Sequence, residues 1–205
     1  MNFILKLLAV ALLCAPVLAD TLDELQQGWA HANYELEDDL QSAQFEALIA
    51  SAEDATKADP TNAELLVWEG IIKSTYAGKS GGLTALSMVK QARMALEQAL
   101  EIDDSALNGS AYTSLGALYY QVPGWPIAFG NDKKAKKLLE KALQTDPAGI
   151  DSNYFYADFL IQQKEYDAAK QHLAKALQAN PRPGREIADA GRRSEILALL
   201  SSIET

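Results

Sequence analysis

The 205-residue chain contains one cysteine, Cys14, and two histidines, His31 and His172. One cysteine forms no disulfide within a chain, and removal of the first residues, argued below, takes away thiol chemistry altogether. No HExxH or CxxC occurs, and the two histidines fall on different helical segments. Neither a metal ligand set nor a nucleophile beside a base stands at readable spacing. Carboxylate pairs such as Asp38-Asp39 and Asp103-Asp104 sit at helix ends, where they cap or are solvated. The stretch AGKSGG, 77–82, is similar to the end of a phosphate-binding loop. That motif needs a glycine five residues before Gly78, whereas the position holds Lys73 and no strand precedes it. Asn108-Gly109-Ser110 matches a glycosylation sequon, relevant only to a eukaryotic secretory route. The expectation is a chain without catalysis, cofactor or metal.

Positive charge is also scarce, with 18 Lys and Arg against 28 Asp and Glu. So acidic a chain repels a phosphate backbone, which argues against nucleic acid as a partner. Beyond residue 19 no run approaches the roughly 18 apolar residues of a membrane span. Before it, MNFILKLLAVALLCAPVLA carries Lys6, an apolar run from Leu7 to Ala15, and the small residues Val17 and Ala19 at the −3 and −1 places of a cleavage site. Leu13 ahead of Cys14 argues against a lipid anchor, which wants a small residue there. The expected product is a signal peptide, 1–19, cut after Ala19, and a single periplasmic or secreted domain, 20–205. That domain has 17 basic and 28 acidic residues, a net charge of −11.

What the sequence does have is a period. LLEKALQTDP, 138–147, and HLAKALQANP, 172–181, align Leu139 with Leu173, Ala142 with Ala176, Leu143 with Leu177 and Pro147 with Pro181. Ala135 and Ala169 continue the same offset of 34 residues. Small residues let two helices approach, the leucines fill the space between them, and the prolines stop the second helix before the next unit. A fixed period of 34 is the signature of the tetratricopeptide repeat, a helix–turn–helix unit of that length. Earlier stretches carry the pattern with gaps: Tyr112, Leu115, Gly116 and Tyr119 in AYTSLGALYY, Gly70 after Pro60, and Ala55 before Pro60.

This predicts an all-α, right-handed solenoid of four helix pairs with a C-terminal capping helix. The helices are expected over 21–39, 43–58, 62–77, 84–103, 108–121, 132–145, 150–163, 166–179 and 183–203. Two insertions interrupt the period at the same corner of successive units. One is the glycine-rich YAGKSGGLTALS, 76–87. The other is PGWPIAFG, 123–130, where Pro123 and Pro126 forbid a helix and Asn131 or Asp132 caps the next one. Insertions at equivalent corners emerge side by side, often on the binding face. Trp125 and Phe129 have two readings: a plug that folds back to extend the core, or the wall of a ligand or partner pocket.

The concave stripe of the inner helices, counted from Gly116 and Ala157, takes in Thr113, Ala117, Tyr120 and Gln121, then Tyr154, Asp158, Ile161 and Gln162. Val67, Ile71 and Ser74 come from an earlier unit. The candidate binding residues are thus Tyr120, Gln121, Trp125, Phe129, Tyr154, Asp158 and Gln162, on a surface that is aromatic and polar with little positive charge. The tail crowds Arg182, Arg185, Arg192 and Arg193. Either they pair along a capping helix, through Arg185–Asp189 and Asp189–Arg192 or Arg193 spacings, or they form a patch that meets an acidic partner or the acidic groove.

The chain resembles the tetratricopeptide repeat superfamily over about 43–181. More narrowly, LGALYYQVPGWPIAFGNDKKAKKLLEKAL, NYFYADFL and PRPGREIADAGRR look like secreted bacterial helical-repeat proteins related to the T component of TRAP-type transport systems. The resemblance implies a periplasmic, non-enzymatic protein working beside a solute-binding protein, with a small organic cargo. Two functions are therefore open: a scaffold holding a partner protein in its concave face, or a small-ligand-binding accessory of a solute transporter.

Overall fold

The computed structural model describes residues 15–203, with side chains from Thr21 onward; most of the expected signal peptide lies outside the described residues. Among these residues the regular structure is entirely helical. The elements are α1 (Ala15–Tyr34), α2 (Asp38–Ala58), α3 (Ala63–Ser80), α4 (Gly82–Ile102), α5 (Ala106–Gln121), α6 (Asp132–Thr145), α7 (Ile150–Gln162), α8 (Tyr166–Leu177) and α9 (Glu186–Ser202). Four antiparallel pairs and a final helix follow the order that the period predicts. None of the helices is long and apolar enough to cross a membrane.

Local chemistry sets several of the boundaries. The Asn62 side chain accepts hydrogen bonds from the backbone N–H groups of Glu64 and Leu65, and Asn131 accepts one from Lys134 at 2.9 Å. Each satisfies donors that a helix start leaves orphaned. The odd-numbered helices pack successively on one another, and α2, α4, α6 and α8 each pack against the odd helix before them. Within the pairs a small residue lies under a leucine. A Cβ on Gly28 would stand 2.7 Å from Leu48 Cδ2, one on Gly70 2.4 Å from Leu96 Cγ, and one on Gly116 2.6 Å from Leu139 Cγ. Ala157 and Leu173, both fully buried in one apolar cluster, take those places in the last pair. The small-residue and leucine packing therefore already operates in the first pair, between α1 and α2.

Two expectations about the insertions need correction. The glycine-rich stretch is not a loop. Its residues lengthen α3 and α4, and only Gly81 and Gly82, at φ 72° and 59°, make the reversal. The second, 122–130, is a loop held by its own backbone: Gly130 N–H donates to Pro123 O at 2.9 Å and Asn131 N–H to Tyr119 O at 2.7 Å. A Cβ on Gly130 would fall 2.1 Å from Val122 O, so no other residue fits there. The expected neighbourhood does hold, since Ala85 and Met88 of α4 share an apolar cluster with Val122 and Phe129.

The chain's two ends meet. Helix α9 packs on α7 and α8, as a capping helix should, and also on α1. A Cβ on Gly191 would stand 2.3 Å from the Tyr34 ring, so α9 and α1 are in close contact there. The array is thereby closed across its concave side.

Candidate functional site

Closure turns the concave groove into a cavity of about 590 Å³, within the range of small-molecule sites. Its apolar walls come from Trp29 of α1, Trp68 and Ile71 of α3, Leu107 and Leu118 near and on α5, and Phe155 of α7. Ser74, Thr75, Ser110, Thr113, Ser114 and Gln121 add hydroxyls and an amide. Trp29 stacks edge-on against Trp68 with ring centroids 5.8 Å apart, and its indole N–H donates to Thr75 Oγ1 at 2.9 Å. At the start of α5, Leu107, Asn108 and Gly109 adopt φ of 49°, 55° and 73°. Two consecutive non-glycine residues in the left-handed region are costly, and both line the cavity. The sequence pattern places ordinary helix from 108 and misses this turn.

Arginines close one side. Arg192 Nε donates to Asp151 Oδ1 at 2.8 Å, and Arg182 Nη1 to Asp151 Oδ2 at 2.7 Å. Arg182 also holds Asp189 at 2.6 Å, and Arg192 reaches Glu195. Burial alone would push the Asp151 carboxyl up, but Arg192 and then Arg182 outweigh it and hold it at about 2. Arg193 points elsewhere, donating to the carbonyls of Leu177 and Ala179 at the end of α8. The tail arginines thus do not make the Arg185–Asp189 and Asp189–Arg192 or Arg193 pairs that the spacing suggests, and the pair along α9 is Arg192 with Glu195. Asp189 serves Arg182, and Arg192 crosses to α7, so the reading in which arginines meet an acidic groove is the one the geometry supports.

Arg185 differs from these. Its guanidinium carbon lies 4.8 Å over the Trp68 ring and Nη1 donates a long 3.4 Å hydrogen bond to Gln26 Oε1. No carboxylate pairs with it among the described residues. Burial, and then the neighbouring Arg182, press its pKa below the ordinary arginine value. Asp146, a further cavity carboxylate, is pushed up by burial and then by Asp151.

The seven candidate residues separate. Gln121 alone lines the cavity, together with the Thr113, Ala117, Ile71 and Ser74 of the predicted stripe. Tyr120 is buried; its hydroxyl donates to Asp158 Oδ2 at 2.6 Å and accepts from Gln121 Nε2 at 3.3 Å. Burial, then the Asp158 charge, raise the Tyr120 pKa well above its usual value. The pair ties α5 to α7 instead of presenting a free surface. Tyr154 lies under α9, with Arg192 4.2 Å from its ring, and burial raises its pKa to about 12. The fifth odd helix packs where the stripe on α7 would otherwise be open. Gln162 is exposed and outside the cavity.

The loop divides between its two aromatics. Phe129 is half-buried, edge-on to Tyr119 at 5.3 Å and 4.6 Å from the Arg93 guanidinium. Trp125 is 89% exposed. The plug reading therefore holds for Phe129 and fails for Trp125. Neither residue lines the cavity, whose lining reaches Thr75 and Gln121 but takes in no residue of the two insertions themselves.

Lys73 is buried on α3 between Glu69 at 2.6 Å and Glu53 at 2.7 Å, with its ammonium also donating to Gln91. It is a structural ion cluster joining α2, α3 and α4. Among the described residues no group of His, Cys, Asp and Glu is arranged to hold a metal ion. His31 pairs with Glu35 on one helix, and His172 lies 2.9 Å from Asn153.

With two-layered helix pairs and a closed concave face, the molecule is of the helical-repeat class. Residues 127–193, from the loop before α6 into α9, match the tetratricopeptide repeat family model. Among solved structures the chain is similar to that of MamA, at 18% identity and a TM-score of 0.48, over 82% of this chain and 94% of that one. It is also similar to pilF of Pseudomonas aeruginosa, at 18% identity and a TM-score of 0.34, over 91% and 90%. No curated protein matches it.

Proposed function

We propose that this is a non-catalytic, exported helical-repeat protein that binds a small organic ligand in its concave cavity while engaging a protein partner through its outer surface. The closing of the groove by α9 against α1 carries the first part. A groove narrowed by α9 against α1 suits a compact ligand better than an extended peptide, and its walls combine apolar rings with a few polar groups, as small-molecule sites do. A partner protein is the usual charge of the tetratricopeptide fold, and a specific observation favours a docking point outside the groove. Trp125 is 89% exposed and Ile127, in the same loop, 62% exposed, and tryptophan is among the residue types most enriched as interface anchors.

The resemblance to T components of TRAP-type systems supports a setting beside a periplasmic solute-binding protein, with the cavity holding the cargo. The leader at 1–19 supports export. Native mass spectrometry of the full chain purified from its source tests the ligand assignment. A bound mass of a few hundred daltons is expected, and repeated preparations with none would overturn it.

A further inference from the structure

Two buried donors meet in the cavity without acceptors. Trp68 Nε1 and Arg185 Nε are both shielded from solvent and neither has a hydrogen-bond partner. Trp68 is 3% exposed, both side chains line the cavity, and the guanidinium stacks over the indole. Buried polar groups are almost always satisfied, so two orphans at one spot need an explanation. The other two cavity arginines have carboxylate partners, whereas Arg185 has only the amide oxygen of Gln26. The group missing from this corner is one that accepts hydrogen bonds and carries negative charge. The rest of the wall around it, Trp29, Ile71, Leu107, Leu118 and Phe155, is apolar.

We infer that the cavity takes an organic anion, with its carboxylate or equivalent acidic group on Arg185 and Trp68 and its apolar body against the indole and aliphatic wall. This rests on the ligand-binding reading above and names the ligand's chemistry. Opposing charges are already spoken for. Asp151 is neutralised by Arg182 and Arg192, and Glu195 is held by Arg192. Asp146, at the turn between α6 and α7, is left to receive a hydroxyl or ammonium elsewhere on such a molecule.

The test uses two fluorescent probes with the same aromatic body. 1-Anilinonaphthalene-8-sulfonate carries an anionic group; N-phenyl-1-naphthylamine lacks it. The intact chain is expected to bind the anion about tenfold or more tightly than the neutral probe, the scale of a charge-assisted hydrogen bond. Arg185→Met should remove that preference, weakening the anionic probe about tenfold more than the neutral one. Trp68→Phe, which keeps a ring but removes the N–H, should weaken the anion several-fold and serves as the independent variant should Arg185→Met not fold. Saturable binding of both probes at equal affinity, unmoved by either substitution, would overturn the anion and leave the cavity reading standing. Saturable binding of neither would overturn both.

Discussion

Arg192 Nε lies 2.8 Å from Asp151 Oδ1, joining the last helix to the first turn of α7. The arginine side chain is 9% exposed and the carboxylate 32%. Breaking such a pair leaves a charge buried without its partner, at a cost of several kcal/mol when both groups are dry. Solvent at Asp151 and the remaining Glu195 contact reduce this. Asp151→Asn should cost about 2 kcal/mol and lower the midpoint of thermal unfolding by about 4–8 °C. Differential scanning calorimetry at pH 7 reads it directly.

The same pair sets an acid limit. The folded-state pKa of Asp151 is held down at about 2, below the roughly 3.9 of an unfolded chain. A depressed carboxyl contributes stability that is fully present above its unfolded value, and lost as pH falls towards the folded one. Wild-type stability should therefore fall between about pH 4 and pH 2, and the fall should be shallower in Asp151→Asn. Urea unfolding across that window gives the two slopes; parallel curves would contradict the assignment.

The loop separates two aromatic residues four positions apart. Trp125→Ala should change stability by no more than about 0.5 kcal/mol, as expected for an exposed side chain. Phe129→Ala should cost about 1–3 kcal/mol, less than a full core aromatic because the ring is only half-buried. If Trp125 anchors a partner, its substitution lowers recovery of that partner from periplasm while thermal unfolding stays put.

Gly116 tests the repeat packing. Alanine has the better helix propensity by about 1 kcal/mol, so an open site would gain stability. Here the added Cβ would sit 2.6 Å from Leu139 Cγ and 3.3 Å from the Leu139 backbone nitrogen. Overpacking typically costs about 1–3 kcal/mol, so Gly116→Ala should be destabilising on balance. A more stable variant in chemical denaturation would show that α5 and α6 are further apart.

The repeat was legible because its determinants are local. Leu139, Leu173, Ala142, Ala176 and the two prolines recur at one offset, and each is buried or breaks a helix for a reason confined to its own unit. The cap at Asn131 was legible for the same reason. The glycine-rich insertion misled because Gly78, Gly81 and Gly82 weigh against helix, yet α3 tolerates Gly78 and only the last two make the turn. The cavity was hidden because closure is non-local. Arg185 meets Gln26 across 159 positions and Arg192 meets Asp151 across 41, whereas helical spacing proposes partners three or four away. Tyr154 and Asp158 belong to a stripe whose α5 members Thr113, Ala117 and Gln121 line the cavity while Tyr120 does not. On α7, α9 covers Tyr154, and Asp158 is tied to Tyr120.

The central claim is that the concave face is a ligand-sized cavity and not an open track. Ser114 lines it from α5 and is half-buried, so Ser114→Trp should obstruct it without entering the core. Titration of N-phenyl-1-naphthylamine into the wild-type chain and this variant, at matched thermal stability, is the direct measurement. Saturable one-to-one binding by the wild type, lost in Ser114→Trp, is the predicted result. Equal binding by both chains, or no saturable binding by the wild type, would contradict it.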